Sequence, residues 1–206
     1  MIKTVYTVIT NDYDNVHNPL KTKGWNHLLY SDGYMNPKGW TIHKIPRKLT
    51  TSQLLSREVK ILHSEYTKAD ISIYIDGNFE IIGDLNEFLR EANYTSGIMA
   101  CTHPERDNIR DELNAIIKLK KASVKSVNDI RLKLDHTGVK GLSETGVLIR
   151  DQSIPDYYFQ KWFEMVQICG RDQASFDWVF RDKIKRFPIE IRNKYFKKHL
   201  HKNYVK

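Results

Sequence analysis

Asp76, Gly77 and Asn78 close the run ADISIYIDGN, and an acid and an amide separated by a glycine can turn two oxygens toward one point. Oxygen donors of this kind suit Mg²⁺ or Mn²⁺, hard cations that bridge a few protein oxygens to phosphate oxygens. The Asp-Gly pair is also among the commonest turn signals, so on its own it fits a hairpin as well as a metal ligand. Which reading holds depends on the elements that present these residues.

The pattern around them is one of alternating strands and helices. Val5 to Thr10 (VYTVIT) reads as a buried strand that stops at the turn-prone NDYDN, and HLLYSD and Trp40 to Ile45 read as two more strands. Thr50 or Thr51 caps a helix through SQLLSREVKILHSEY, with Leu54, Leu55, Val59, Ile61 and Leu62 at roughly helical spacing. Ile71, Ile73 and Ile75 then alternate in a strand that delivers Asp76 to the sheet edge. DLNEFLREA reads as a helix opened by Asp84, SGIMACTH as a strand, and RDNIRDELNAIIKLK as a helix. After a polar stretch at 121–141 come a strand (ETGVLIRD), a long helix (DYYFQKWFEMVQICG) and a short helix opened by RDQASF.

This order predicts an α/β fold with a mostly parallel central sheet flanked by helices. Ligands in such sheets sit beyond the carboxyl ends of the strands, so Asp76, Gly77, Asn78, His103 and the residues around Glu144 are expected on one rim. A chain of 206 residues suits one domain with a short appendage. With 40% hydrophobic and 28% charged residues it has the composition of a soluble globular protein, and no apolar run is long enough to span a bilayer. The opening MIKTVYTVITNDYD passes straight into a strand pattern without the apolar core of a signal peptide, so a cytoplasmic location is expected. Cys101 and Cys169, far apart in sequence, fit neither a disulfide framework nor a paired-cysteine zinc site, and both are expected to be reduced and buried.

The net charge of +8 is concentrated at one end. Residues 181–206 hold ten Lys or Arg against Asp182 and Glu190, and the other 180 residues are formally neutral. The division expected is therefore a domain over 1–180 and a basic extension over 181–206, packed on or beside it. Phe187, Tyr195, Phe196 and Tyr204 interleave with this charge, a mixture that suits a polyanion, an anionic membrane surface, the phosphates of a bound ligand, or a solvated helix.

Taken in order, the motifs resemble a known family. YIDGN followed by DLNEFL is similar to the Asp-x-Asp region of GT-A glycosyltransferases, ETGVLI to the glycine-containing strand that follows, and RDQASF to their Asp-Gln motif. With YTVITNDYD and HPER in the same order, the set most resembles a glycosyltransferase-domain family that includes plant hexosyltransferases linked to wall polysaccharide. The likeness spans residues 5 to 180.

The resemblance implies a GT-A fold, a divalent metal (Mn²⁺ or Mg²⁺), a nucleotide-sugar donor and a hydroxyl acceptor. The acceptor would be a glycan or, given the basic tail, a hydroxymethylated DNA base. It also implies roles. Asp76 and Asn78 would meet the metal, with His199 or His201 as a further ligand; Asn78 stands where the family has a second acid, which weakens that contact. Thr7, Asn11 and Asp14 would meet the nucleotide. Arg57, Lys60, His103 and Arg106 would reach the diphosphate or the donor sugar, and Gly146 and Gln173 would belong to the donor site. Asp172 and Glu144 would bind sugar hydroxyls or assist the acceptor as base. The likeness of the glycine-containing strand and the Asp-Gln motif leans toward retaining enzymes. Two other classes remain: a nucleic-acid-binding protein without activity, and a nucleotidyltransferase, which would need more acids around its metal than Asp76 supplies.

Overall fold

A computed structural model describes residues 1–47, 50–134 and 139–202. Its elements in chain order are β1 (Lys3–Ile9), β2 (Trp25–Ser31), β3 (Thr41–Lys44), α1 (Ser52–Ile61), α2 (His63–Tyr66), β4 (Ile71–Ile75), β5 (Phe79–Ile81), α3 (Leu85–Glu91) and β6 (Ile98–Thr102). There follow α4 (Ile109–Lys118), α5 (Val124–Lys133), β7 (Ser143–Asp151), α6 (Asp156–Cys169), α7 (Gln173–Phe180), β8 (Ile184–Phe187), α8 (Ile189–Tyr195) and β9 (Phe196–Lys198).

Seven strands form one sheet in the order β3-β2-β1-β4-β7-β6-β8. Every neighbouring pair is parallel except the two that involve β7, which runs against both β4 and β6. That single reversal matters for the site. Because β7 enters where its neighbours leave, its first residues, Ser143 to Gly146, lie on the same rim as the ends of β1 and β4.

Side-chain alternation sends each strand to two cores. Val5, Ile9, Ile73, Ile75, Val147 and Ile149 pack on one face with Phe88 of α3 and Phe187, Tyr195 and Phe196 from the C-terminal stretch. Tyr6, Val8, Tyr74 and Leu148 pack on the other with Val59, Phe159, Trp162, Phe176 and Phe180 of α1, α6 and α7. Each such fully buried side chain contributes about 1.5–3 kcal/mol relative to exposure. Cys101 and Cys169 are free and buried.

Two features were not visible in the sequence pattern. The polar stretch at 121–141 contains α5, capped by Ser123, whose side chain accepts from the Ser126 amide at 3.1 Å. It buries only Val127 and Ile130, against α4 and α6, too narrow a stripe to register as helical periodicity. The basic stretch from residue 181 supplies β8, the seventh strand of the sheet, then α8 and β9, and β9 pairs antiparallel with β5. Its aromatics Phe187, Tyr195 and Phe196 are 1–2% exposed, so they fill the core and are not presented to bases. Tyr204 lies outside the described residues.

Much of that charge is also paired. Arg186 meets Asp177 at 2.7 Å, Lys194 meets Glu91 at 2.6 Å, Lys202 meets Asp12 at 2.5 Å, and Arg192 and Lys198 both meet Glu144. No helix among the described residues is long and apolar enough to cross a membrane.

Candidate active site

An open cleft of about 890 Å³ lies over the carboxyl ends of β1 and β4. Its walls come from the loop after β1, the start of α1, the turn Asp76-Gly77-Asn78, the first residues of β7, the α6–α7 junction and residues 198–201.

At its floor four charged side chains converge. Thr51 caps α1 by accepting from the Leu54 amide, and one turn on Arg57 and Lys60, three residues apart, project from one face of the helix. The Lys60 ammonium, 1% exposed, sits 2.5 Å from Asp172 Oδ2 and 3.3 Å from Asp76 Oδ1; Arg57 Nε sits 3.2 Å from Asp172 Oδ1. Asp172 immediately precedes α7, but its side chain does not cap that helix. Instead Oδ2 also accepts from Thr145 Oγ1 at 2.9 Å, and the Asp172 carbonyl accepts from Trp162 Nε1 at 2.9 Å. A carboxylate held by three side chains, on a backbone held by a fourth, is a rigid fixture of the floor.

The electrostatics follow from burial and these cations. Burial on its own would raise the Asp172 carboxyl, but Arg57 and Lys60 outweigh it and hold the group well below the usual carboxylate range. Burial likewise opposes ionisation of Asp76, and Lys60 and Arg57 again prevail, so its carboxyl is also held low. The Tyr74 hydroxyl, pushed far up by burial and then by the Asp76 charge, stays protonated and donates to Asp76 Oδ1 at 2.8 Å.

Asp76 Oδ1 is therefore occupied by Tyr74 and Lys60. Its Oδ2 lies against Gly146, where a Cβ would stand 3.2 Å from it, and the Asp76 amide donates to the Gly146 carbonyl at 2.8 Å. With its side chain one-third exposed, Asp76 offers one carboxylate oxygen to the cleft. That fits an ion of the Mg²⁺ or Mn²⁺ kind, commonly held by one or two carboxylates together with substrate phosphates.

The other residues named for the metal are engaged elsewhere. Asn78 is 3% exposed; its Nδ2 donates to the His199 carbonyl at 2.8 Å, and the His199 amide returns a bond to the Asn78 carbonyl at 2.8 Å. His199 Nε2 turns to Glu80 Oε2 at 2.8 Å, and His201 Nδ1 turns to Asp14 at 2.9 Å. Both histidines line the cleft rim.

The remaining expected residues divide. Asn11 lies in the left-handed region (φ 55°), a conformation asparagine tolerates, and its amide donates to Asp32 Oδ1 at 2.8 Å. Asn11, Asp14, Glu144, Gly146 and Gln173 all line the cleft. Glu144 is clamped by Lys198 at 2.9 Å and by Arg192. Thr7 is buried inside β1, short of the rim. His103 and Arg106 lie outside the cleft lining because β6 is one strand beyond β7. They fold on one another, with Arg106 Nη2 3.0 Å from His103 Nε2, and Arg106 Nε meets Glu112 at 2.7 Å. Burial and that guanidinium lower the His103 imidazole.

Sequence reading missed Tyr74 and Thr145, which orient Asp76 and Asp172, and the cations Lys121, Arg171 and Lys198 at the rim. Burial, and secondarily Arg171, lowers the Lys121 ammonium. Arg171 and Thr145 stand beside residues already singled out, so adjacency was the available signal for them. Nothing local marks Lys121 or Lys198.

No family model and no curated protein matches the sequence. Solved structures do. The apo structure of WbbM, a bifunctional glycosyltransferase, matches with a TM-score of 0.52 at 11% identity, over 92% of this chain and 39% of that one. The apo form of the glycosyltransferase GlyE from Streptococcus pneumoniae matches with a TM-score of 0.51 at 12% identity, over 91% of this chain and 45% of that one. This chain shares its fold with these two glycosyltransferases. At these identities the likeness is one of architecture, and this chain spans less than half the length of either protein.

Proposed function

We propose that the chain is a glycosyltransferase that binds a nucleotide-sugar donor in this cleft and passes the sugar to a hydroxyl acceptor. The observation that carries the reading is the cluster of Asp76, Lys60, Asp172 and Arg57 at the carboxyl end of β4, in a fold shared with known glycosyltransferases. The ordered motifs from YTVITNDYD to RDQASF support it.

In this reading the loop after β1, with Asn11 and Asp14, receives the nucleoside, and Asp76 Oδ2 faces the diphosphate. A bound Mg²⁺ or Mn²⁺ would supply positive charge to the leaving phosphate oxygens, held on the protein side by Asp76. Lys121, Arg171 and Lys198 line the same cleft and favour the anion that departs. Gln173 is an amide able to orient sugar hydroxyls.

Asp172 takes a different part from a general base. A base works best with a pKa near the operating pH, and Arg57 and Lys60 hold this carboxyl far below that. Its role is to remain an anion, fix the two cations, and accept hydrogen bonds from the sugar. Glu144, bridged by Arg192 and Lys198, joins the first residues of β7 to the C-terminal stretch and shapes the rim. Donor sugar, whether hexose or pentose, follows from side chains along this rim. A glycan acceptor fits better than DNA, because Phe187, Tyr195 and Phe196 of the basic stretch are core residues and much of its charge is paired.

Binding tests the reading directly. Thermal unfolding of the full chain is followed with Mn²⁺ and a panel of nucleotide sugars, for wild type and Asp76→Ala. A midpoint raised by one donor class in wild type, and lost in the variant, is expected; no response to any donor contradicts the proposal.

A further inference from the structure

At one side of the cleft, three side chains from distant parts of the chain meet. His17 comes from the loop after β1, Glu80 from the middle of β5, and His199 from the residue after β9. One ligand atom of each lies within 4.8 Å of those of the other two. The two imidazoles stack with centroids 3.7 Å apart at 16°, and His199 Nε2 is 2.8 Å from Glu80 Oε2.

We propose that His17, Glu80 and His199 form a second divalent-metal site of the zinc class, distinct from the Asp76 position. The inference does not rest on the donor reading.

The chemistry of the set separates it from Asp76. Two imidazoles with one carboxylate suit Zn²⁺ or Co²⁺, whereas a lone carboxylate facing phosphates suits Mg²⁺ or Mn²⁺. Bonds of about 2.0–2.2 Å in tetrahedral geometry put ligand atoms about 3.3 Å apart, so small side-chain rotations bring atoms now between 2.8 Å and 4.8 Å apart to that spacing and leave a fourth position for a solvent oxygen. Half-buried side chains have that freedom.

The backbones that carry the three ligands are already fixed. The His17 carbonyl accepts from Trp40 Nε1 at 2.9 Å, and Leu20 of the same loop donates to Ile81 of β5 at 2.8 Å. Glu80 pairs with Lys197 in the β5–β9 ladder, and Asn78 bonds both the amide and the carbonyl of His199. These bonds hold the ligands in place before any ion arrives. An ion here would staple β5 to the β1 loop and the C-terminal stretch, two segments that line the cleft. His199 lines that cleft, while His17 and Glu80 lie behind it.

The test uses the full chain after chelator treatment, titrated with Co²⁺ and followed by its visible absorption, then displaced with Zn²⁺. Wild type should take up a single equivalent in the micromolar range with the intense bands of a tetrahedral ion. His17→Ala and Glu80→Gln should each weaken binding about 100-fold or more, since even partners outside the coordination shell are worth about 10–100-fold. Asp76→Asn should leave it intact. His17→Ala keeps the carbonyl that receives Trp40, and far-UV circular dichroism of both variants separates lost binding from lost fold. Absence of stoichiometric binding by wild type would overturn the proposal. So would loss in Asp76→Asn with retention in His17→Ala, or an equal effect in all three variants.

Discussion

The Lys60 ammonium and the Asp172 carboxylate meet at 2.5 Å, 1% and 6% exposed, although 112 residues separate them. A buried charge that loses its closest partner costs several kcal/mol, and without Lys60 the Asp172 carboxylate keeps Arg57 as its one paired cation. Lys60→Met should therefore destabilise the fold by about 3 kcal/mol, read as the urea unfolding midpoint. Lys194→Met, which removes the exposed partner of Glu91, should leave the midpoint where it is.

Acid should weaken the protein through the same carboxylate. Asp172 is held well below its unfolded value of about 3.9, so between the two values the unfolded chain binds the extra proton. Its contribution is complete above about pH 4 and is lost as pH falls toward the folded value. Urea midpoints measured from pH 6 down to pH 2 should fall steeply in wild type and more gently in Asp172→Asn. Equal slopes would remove Asp172 as the cause.

Asn78 stands where the resembling family carries an acid, and motif logic alone would have Asn78→Asp improve metal binding. The structure predicts the opposite priority. Aspartate cannot donate to the His199 carbonyl and would set a charge against it, so the C-terminal stretch should loosen and stability fall by about 1–3 kcal/mol. Urea unfolding, with Mn²⁺ affinity measured alongside, distinguishes the two expectations.

Gly146 is required by packing. A Cβ there would stand 2.9 Å from Phe79 Cε2 and 3.2 Å from Asp76 Oδ2. Gly146→Ala should cost about 1–3 kcal/mol and displace the Asp76 carboxylate, and donor-induced thermal stabilisation should shrink more than overall stability does.

What could be read from the sequence follows the range of the forces involved. Alternation in Val5 to Thr10 and Ile71 to Ile75, and the Thr51 and Asp84 caps, are local signals, and the strands and helices they predict are present. The rim position of Asp76 followed from the α/β pattern, whereas Glu144, at the start of its strand, reaches that rim only because β7 is reversed. The reversal of β7 left no trace, because strand periodicity is the same in both directions. Pairing of β5 with β9 and the approach of His17 to His199 depend on contacts across more than a hundred residues, which no short window contains. Phe187 and Phe196 misled for a related reason: a three- or four-residue strand with two charges beside one phenylalanine does not display its buried face.

The measurement that tests the central claim most directly is release of nucleoside diphosphate from a panel of nucleotide sugars with Mn²⁺ present, comparing wild type, Asp76→Asn and Asp172→Asn. Turnover of one donor class by wild type, reduced about 100-fold or more in each variant, is the predicted result. No turnover of any donor by wild type, or variants as active as wild type, would contradict the account.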